Sequence, residues 1–254
     1  MSSRIKNLIR EFGAVEGMQF YFRLKAKKLG WFKSSEKNLH FFLRNNGTDA
    51  GIFGQVFIDR QYQYPVNFEP KTIIDAGANI GLSALYFAHR FPQASVVALE
   101  PDKNNFDIAV QNTNACSRIK ILNKGIWDKN TFLEIIDSTV TNDAFMVKES
   151  QVPTANSIEA TDINSIVEQE GWNSIDILKI DIEGSEKELF AANYEKWLPM
   201  TKMIFVEIHD DMKHGCSTSV FKAISKYNFS FAMKHENLIF INRDEPFAGN
   251  NKSA

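Results

Sequence analysis

The ten residues Thr72-Ile73-Ile74-Asp75-Ala76-Gly77-Ala78-Asn79-Ile80-Gly81 constrain this chain more than any other stretch. Thr72 to Ile74 read as a fully buried strand of a parallel sheet, ending in an acid. Gly77 and Gly81 let the backbone turn sharply and approach a ligand closely. A helix starting at about Ile80 aims its free N–H groups into that turn. Such a strand–turn–helix binds a nucleotide-like molecule at the carboxyl edge of an open α/β sheet.

The spacing is Asp-x-Gly-x-Asn-x-Gly, which is not the G-x-G-x-x-G fingerprint that sets three glycines against a pyrophosphate. Asp75 beside a phosphate would repel it. An acid here suits a ligand with a cationic amino group and no phosphate, and S-adenosylmethionine is one. The pattern looks like motif I of the Rossmann-like methyltransferases.

The next elements run in the order that such a fold needs. Leu82 to Arg90 continue an amphipathic helix, which Pro92 stops. Ser95 to Leu99 form a second buried strand ending in Glu100, an acid placed to accept ribose hydroxyls. Pro101 and Asp102 open a helix to about Asn114. Arg118 to Leu122 form a third strand, after which Gly125 and Ile126 shape the adenine pocket through their backbone. A fourth strand from Ile175 ends at Asp181, and Gly184 turns the chain into a helix running to about Asn193. A fifth strand, Met203 to His209, places Glu207 and His209 on one face by alternation. Glu183 and Glu186 read as helix-capping acids. Asp181, on the strand end itself, is harder to assign to capping.

The segments Leu178-Lys179-Ile180-Asp181-Ile182-Glu183-Gly184-Ser185-Glu186 and Val206-Glu207-Ile208-His209 resemble the FkbM family of S-adenosylmethionine-dependent methyltransferases. Phe53 to Tyr62 are similar to the family's region upstream of motif I. The resemblance covers about residues 40–242. It implies methyl transfer to an oxygen, commonly a hydroxyl of a sugar or a polyketide-like product, and a place in polysaccharide biosynthesis. Carried over by position, Asp75, Gly77, Asn79, Gly81, Glu100 and Asp181 line the cofactor site, with Glu207 and His209 near the acceptor. Ala78 and Pro101 join the cofactor set as neighbours within the same turns. An alcohol acceptor needs a base, and a histidine oriented by a carboxylate serves near neutrality. The candidate catalytic residues are therefore His209, Asp181 and Glu207. His40, His89, His214 and His235 have weaker claims. Asp181, Glu207 and His209 could also ligate Mg²⁺, but their spacing has no specificity and no metal is assigned.

The expected fold is a Rossmann-like α/β domain. It has a mostly parallel seven-stranded sheet, helices on both faces and a C-terminal antiparallel hairpin of Phe229 to His235 and Leu238 to Asn242. The division is an N-terminal helical extension (1–45), the methyltransferase domain (46–244) and a tail (245–254). Short strands are expected at Phe132 to Ile136 and Ser157 to Ala160, with a helix capped by Asp162.

Formal net charge is only −2, and no basic stripe marks a nucleic-acid partner. The two cysteines give no disulfide or metal spacing. With neither a signal peptide nor a long apolar span, the cytoplasm is the default location. The expected partner is a small-molecule or glycan acceptor, and a homo-oligomer is compatible. The basic, amphipathic segments Arg4 to Arg10 and Phe20 to Leu29 read first as a cap over the cofactor site or a dimer arm. Contact with a membrane surface is the less favoured reading. Two other functions compete: a dinucleotide-dependent oxidoreductase, and a catalytically silent binding module. Loops 45–70, 129–160 and 210–218 are expected to set acceptor specificity.

Overall fold

The computed structural model describes residues 3–35, 37–136, 146–150, 152–154 and 157–244. The chain opens with helices α1 (Ser3–Phe12) and α2 (Ala14–Lys25), then a hairpin of β1 (Gly30–Ser34) and β2 (Leu39–Leu43). The first 45 residues are thus helical only in their first half. A short helix α3 (Asp49–Phe53) runs into a single π-helical turn (Gly54–Ile58). The alternating core then begins: β3 (Thr72–Ala76), α4 (Leu82–Arg90), β4 (Ser95–Leu99), α5 (Lys103–Thr113) and β5 (Ile119–Leu122). A side sheet follows from β6 (Gly125–Ile126), β7 (Thr131–Ile136), β8 (Met146–Ser150) and β9 (Ser157–Thr161). The chain returns through α6 (Ile163–Glu170), β10 (Ile175–Ile180), α7 (Glu186–Leu189), α8 (Tyr194–Trp197), β11 (Thr201–Val206) and α9 (Cys216–Ile224). It ends in β12 (Phe229–Lys234) and β13 (Asn237–Asn242). The expected tail, 245–254, lies outside the described residues.

The main sheet has seven strands in the order β12–β13–β11–β10–β3–β4–β5. From β11 to β5 every pairing is parallel, whereas β13 runs antiparallel to both β11 and β12. This is the expected Rossmann-like topology. Strand alternation sends Ile73 and Val96 into one core and Ile74 and Val97 into another, so both faces of the sheet are covered. On the first face, Phe12, Phe20, Phe32, Phe41, Phe53 and Phe57 pack ring against ring with centroids 4.9–6.4 Å apart, welding the N-terminal module to the domain. Asn112 on α5 completes the join. Its Oδ1 accepts from Phe42 N at 2.6 Å, and its Nδ2 donates to Ile80 O at 2.8 Å.

Two boundaries differ from expectation where the site lies. The helix after Gly184 is only α7, and the chain breaks at Asn193 (φ 59°) before α8. Strand β11 stops at Val206, so Glu207 and His209 stand beyond it and strand alternation does not govern them.

Candidate functional site

Everything that converges on the site hangs from the carboxyl ends of β3, β4, β10 and β11. Gly77 has φ 82°, and a Cβ there would stand 1.8 Å from Asp181 O. Only glycine allows the turn after β3 to lie so close against the end of β10. The amides of Gly77 and Ala78 both donate to Leu99 O, at 3.0 and 2.8 Å, which fixes the turn to β4. Asn79 follows at φ 49° and Gly81 at φ 80°, the latter starting α4.

Asp75 lies beneath this turn, fully buried. Its Oδ2 accepts from Ser83 Oγ at 2.5 Å, and its Oδ1 pairs with Lys179 Nζ at 3.2 Å. Lys179 is itself buried, donates to Gly77 O at 2.5 Å, and lies 3.7 Å from Asp181. Burial alone would lower the Lys179 pKa. The charges of Asp75 and Asp181 outweigh it and hold the ammonium above its ordinary range. Asp75 therefore braces the turn from below, and its charge is met by Lys179. The repulsion of phosphate expected from Asp75 is offset accordingly. The signal for Lys179 was present in the sequence as a lone cation inside an apolar strand, which is costly unless paired.

Glu100, just past β4, is buried. Its Oε2 accepts from Asn79 N at 2.7 Å and its Oε1 from Asp102 N at 2.9 Å. Burial pushes its pKa up to about 7, against the opposing pull of those two amides. Each oxygen keeps a further lone pair for a ligand hydroxyl. Pro101 leads into Asp102, whose side chain caps α5 by accepting from Asn105 N at 2.8 Å. Gly125 and Ile126 are buried, with their backbone paired to Ala160 and Thr161 of β9.

The second half of the site is a ring of acids around one histidine. His209 is only 8% exposed. Its Nδ1 lies 2.9 Å from Glu186 Oε1, and its Nε2 lies 3.6 Å from Glu207 Oε1 and 3.7 Å from Asp181 Oδ1. Glu186 is the surprise: fully buried, it also accepts from the amides of Gly184 (3.1 Å) and Ile182 (3.3 Å). A carboxylate at the start of a helix reads as a cap, and this one does accept backbone amides. What sequence spacing could not show is that the turn folds it against His209. Burial alone would lower the His209 pKa, but hydrogen bonding to Glu186 and Glu207 and the charge of Asp181 raise it to about 10. Burial raises the Asp181 pKa, with Glu207 adding to the shift and Lys179 opposing it. Asp181, Glu207 and His209 each offer one donor atom within 4.8 Å of the others, the trio among the described residues that could surround a metal ion.

Tyr62, which the sequence did not single out, is buried between Phe87 and Phe205, with Lys179, Asp181 and Asp75 near enough to act on its hydroxyl. Burial pushes that phenol up, and Lys179 pulls the other way. Of the other histidines, His40 stacks on Trp31, and His235 Nε2 contacts Asp59 O at 3.0 Å, away from this cluster.

The profile of the methyltransferase FkbM domain matches residues 75–236, from motif I through β11 to the final hairpin. This chain belongs to the FkbM methyltransferase family. Among its relatives, methyltransferase sdnD of Sordaria araneosa is 26% identical over 217 residues, covering 72% of this chain and 80% of that one. The 31-O-demethyl-FK506 methyltransferase FkbM of Streptomyces tacrolimicus is 24% identical over 199 residues, covering 65% and 76%. A crystal structure of methyltransferase FkbM from Methylobacillus flagellatus KT aligns at 14% identity with a TM-score of 0.46, over 94% of this chain and 58% of that one.

As an FkbM methyltransferase, the chain takes S-adenosylmethionine as its methyl donor. One feature of the turn fits that cofactor independently. Asn79 Oδ1, in the turn after β3, is buried without a hydrogen-bond partner among the described residues. An ammonium or a ribose hydroxyl is the kind of donor it lacks.

Proposed function

We propose that this FkbM methyltransferase transfers a methyl group to a hydroxyl oxygen, with a sugar or glycan as acceptor. The observation that carries the reading is His209. Its Nδ1 is tied to Glu186 and its Nε2 is aimed between Asp181 and Glu207, at the carboxyl edge of the sheet. The O-directed name of the Streptomyces relative supports the choice of oxygen.

S-adenosylmethionine, when bound, supplies a methyl group on a sulfonium, already activated for transfer. Asn79 and Glu100 would present acceptors for its amino acid and ribose ends, while Gly77 lets the turn close against the end of β10. The protein's remaining task is to align an acceptor oxygen and to take its proton. His209 Nε2 takes that proton in its neutral form, and Glu186 stabilises the resulting imidazolium at Nδ1. Asp181 and Glu207 flank Nε2, ready to accept hydrogen bonds from neighbouring hydroxyls of a polyol. A surface with two carboxylates on either side of the base suits a sugar better than an acceptor with one isolated hydroxyl.

The test is transfer of isotopically labelled methyl from S-adenosylmethionine to a panel of sugars and oligosaccharides, with matched amines and thiols beside them. Labelled O-methyl sugar that disappears with His209→Ala supports the reading. Transfer confined to nitrogen or sulfur acceptors, or unchanged in the variant, refutes it.

A further inference from the structure

We propose that the N-terminal module docks on an anionic lipid surface through the outer face of α2. This rests on surface chemistry alone and holds whatever the methyl acceptor is.

Helix α2 is apolar on two opposite sides. Gly17 and Phe20 are buried on the inner side, against the cluster of phenylalanines. Val15, Met18 and Phe22 lie on the outer side, 70%, 45% and 57% exposed. Their spacing of three and four residues puts them in one stripe along the helix. A helix on a water-facing surface normally turns polar residues outward. Of nine large apolar side chains that stand exposed among the described residues, these three fall within eight consecutive positions of one helix.

The charges at the carboxyl end of the stripe, Lys25, Lys27 and Lys28, are of one sign. Residues 1–40 hold nine Lys and Arg against three Asp and Glu, while the other 214 residues hold twenty against twenty-eight. The chain is therefore polarised although its net charge is small. Two of the module's acids face inward: Glu16 accepts from Ser34 Oγ (2.5 Å) and Ser35 N (2.8 Å), and Glu11 pairs with Arg60 at 2.5 Å. At the carboxyl end of the stripe, Lys27 N donates to Leu24 O and Lys28 N to Arg23 O, which wraps Lys27 and Lys28 back onto the helix end beside Lys25. All three lysines are exposed.

An apolar stripe edged by lysines fits a bilayer interface with anionic headgroups, which accepts both features at once. Nucleic acid would meet the lysines but leave Val15, Met18 and Phe22 in water. A second copy of this face would set lysines against lysines.

The experiment is co-sedimentation of the full chain with phosphatidylcholine vesicles, with and without phosphatidylglycerol. The expected result is salt-sensitive binding to the anionic vesicles. Lys25→Glu, Lys27→Glu and Lys28→Glu together should weaken it on the order of a hundredfold, and Met18→Ser with Phe22→Ser about tenfold or more. All these positions are exposed, so melting temperature and S-adenosylmethionine affinity should stay unchanged and report intact folding. Absence of binding to anionic vesicles, equal binding to phosphatidylcholine alone, or binding indifferent to both sets of substitutions would overturn the proposal. So would a stripe that holds two copies together in solution while vesicles stay unbound.

Discussion

Replacing Gly77 by alanine tests the closest approach in the site. The new Cβ would stand 1.8 Å from Asp181 O and 2.9 Å from its carbonyl carbon. An alanine held at φ 82° costs about 1–2 kcal/mol over glycine. Forcing the turn away from β10 adds about 1–3 kcal/mol of overpacking. The hydrogen bond from Asp181 N to Ala76 O, 3.1 Å long, sits at that contact, and its loss adds about 1 kcal/mol. The total is about 3–6 kcal/mol, and at about 2–4 °C per kcal/mol for a chain of this size the midpoint should drop by roughly 6–24 °C. Gly171→Ala is the internal control. Its φ is 66°, but nothing lies within 4 Å of the added carbon, so only the conformational cost applies. Thermal melts of both variants, with S-adenosylmethionine titrated into each, read stability and site together. If Gly77→Ala melts no lower than Gly171→Ala and binds cofactor normally, the close packing of the turn on Asp181 is not as described.

Two further predictions concern protons. His209 is held protonated up to about pH 10, so if it is the base, turnover should rise with pH toward that value. Glu186→Gln removes a partner that favours the proton, so the rise should move to lower pH, and a rate that is flat from neutrality to pH 10 in the parent enzyme contradicts the assignment. Glu100, raised to about 7, becomes a full carboxylate only above that pH. Calorimetric affinity for S-adenosylmethionine should therefore strengthen as pH passes upward through 7, and Glu100→Gln should abolish the dependence. An identical pH response in the variant would place the effect elsewhere.

The parallel sheet was legible because its strands are short apolar runs that end in turn or acid signals, and such runs are governed by local periodicity. The helix capped by Asp162 and the terminal hairpin were legible for the same reason, their caps and turns being local. The hairpin β1–β2 was not. Its apolar residues serve a long-range phenylalanine cluster, and the basic helical pattern before it dominated the reading. The site divides in the same way. Gly77, Asn79, Glu100 and Asp181 sit at strand ends, where fold topology alone brings them to one edge. The partnerships of Asp75 with Lys179 and of Glu186 with His209 span 104 and 23 positions of sequence, and depend on side-chain packing that no spacing rule encodes. Strand alternation put Glu207 and His209 on one face, a placement that pairs them only if the chain bends. Because β11 ends at Val206, the imidazole is free to turn its Nδ1 to Glu186 and leave Glu207 at Nε2.

The central claim is that the turn after β3 and the end of β10 form one cofactor site. The most direct measurement is calorimetric titration of S-adenosylmethionine into the parent chain and into Asp181→Ala and Asn79→Ala, with NAD as the comparison ligand. The account predicts saturable binding of S-adenosylmethionine, none of NAD, and roughly tenfold or greater weakening in each variant, as expected for a lost hydrogen bond to a charged group. Binding of NAD in preference, or affinity for S-adenosylmethionine that both substitutions leave intact, would contradict it.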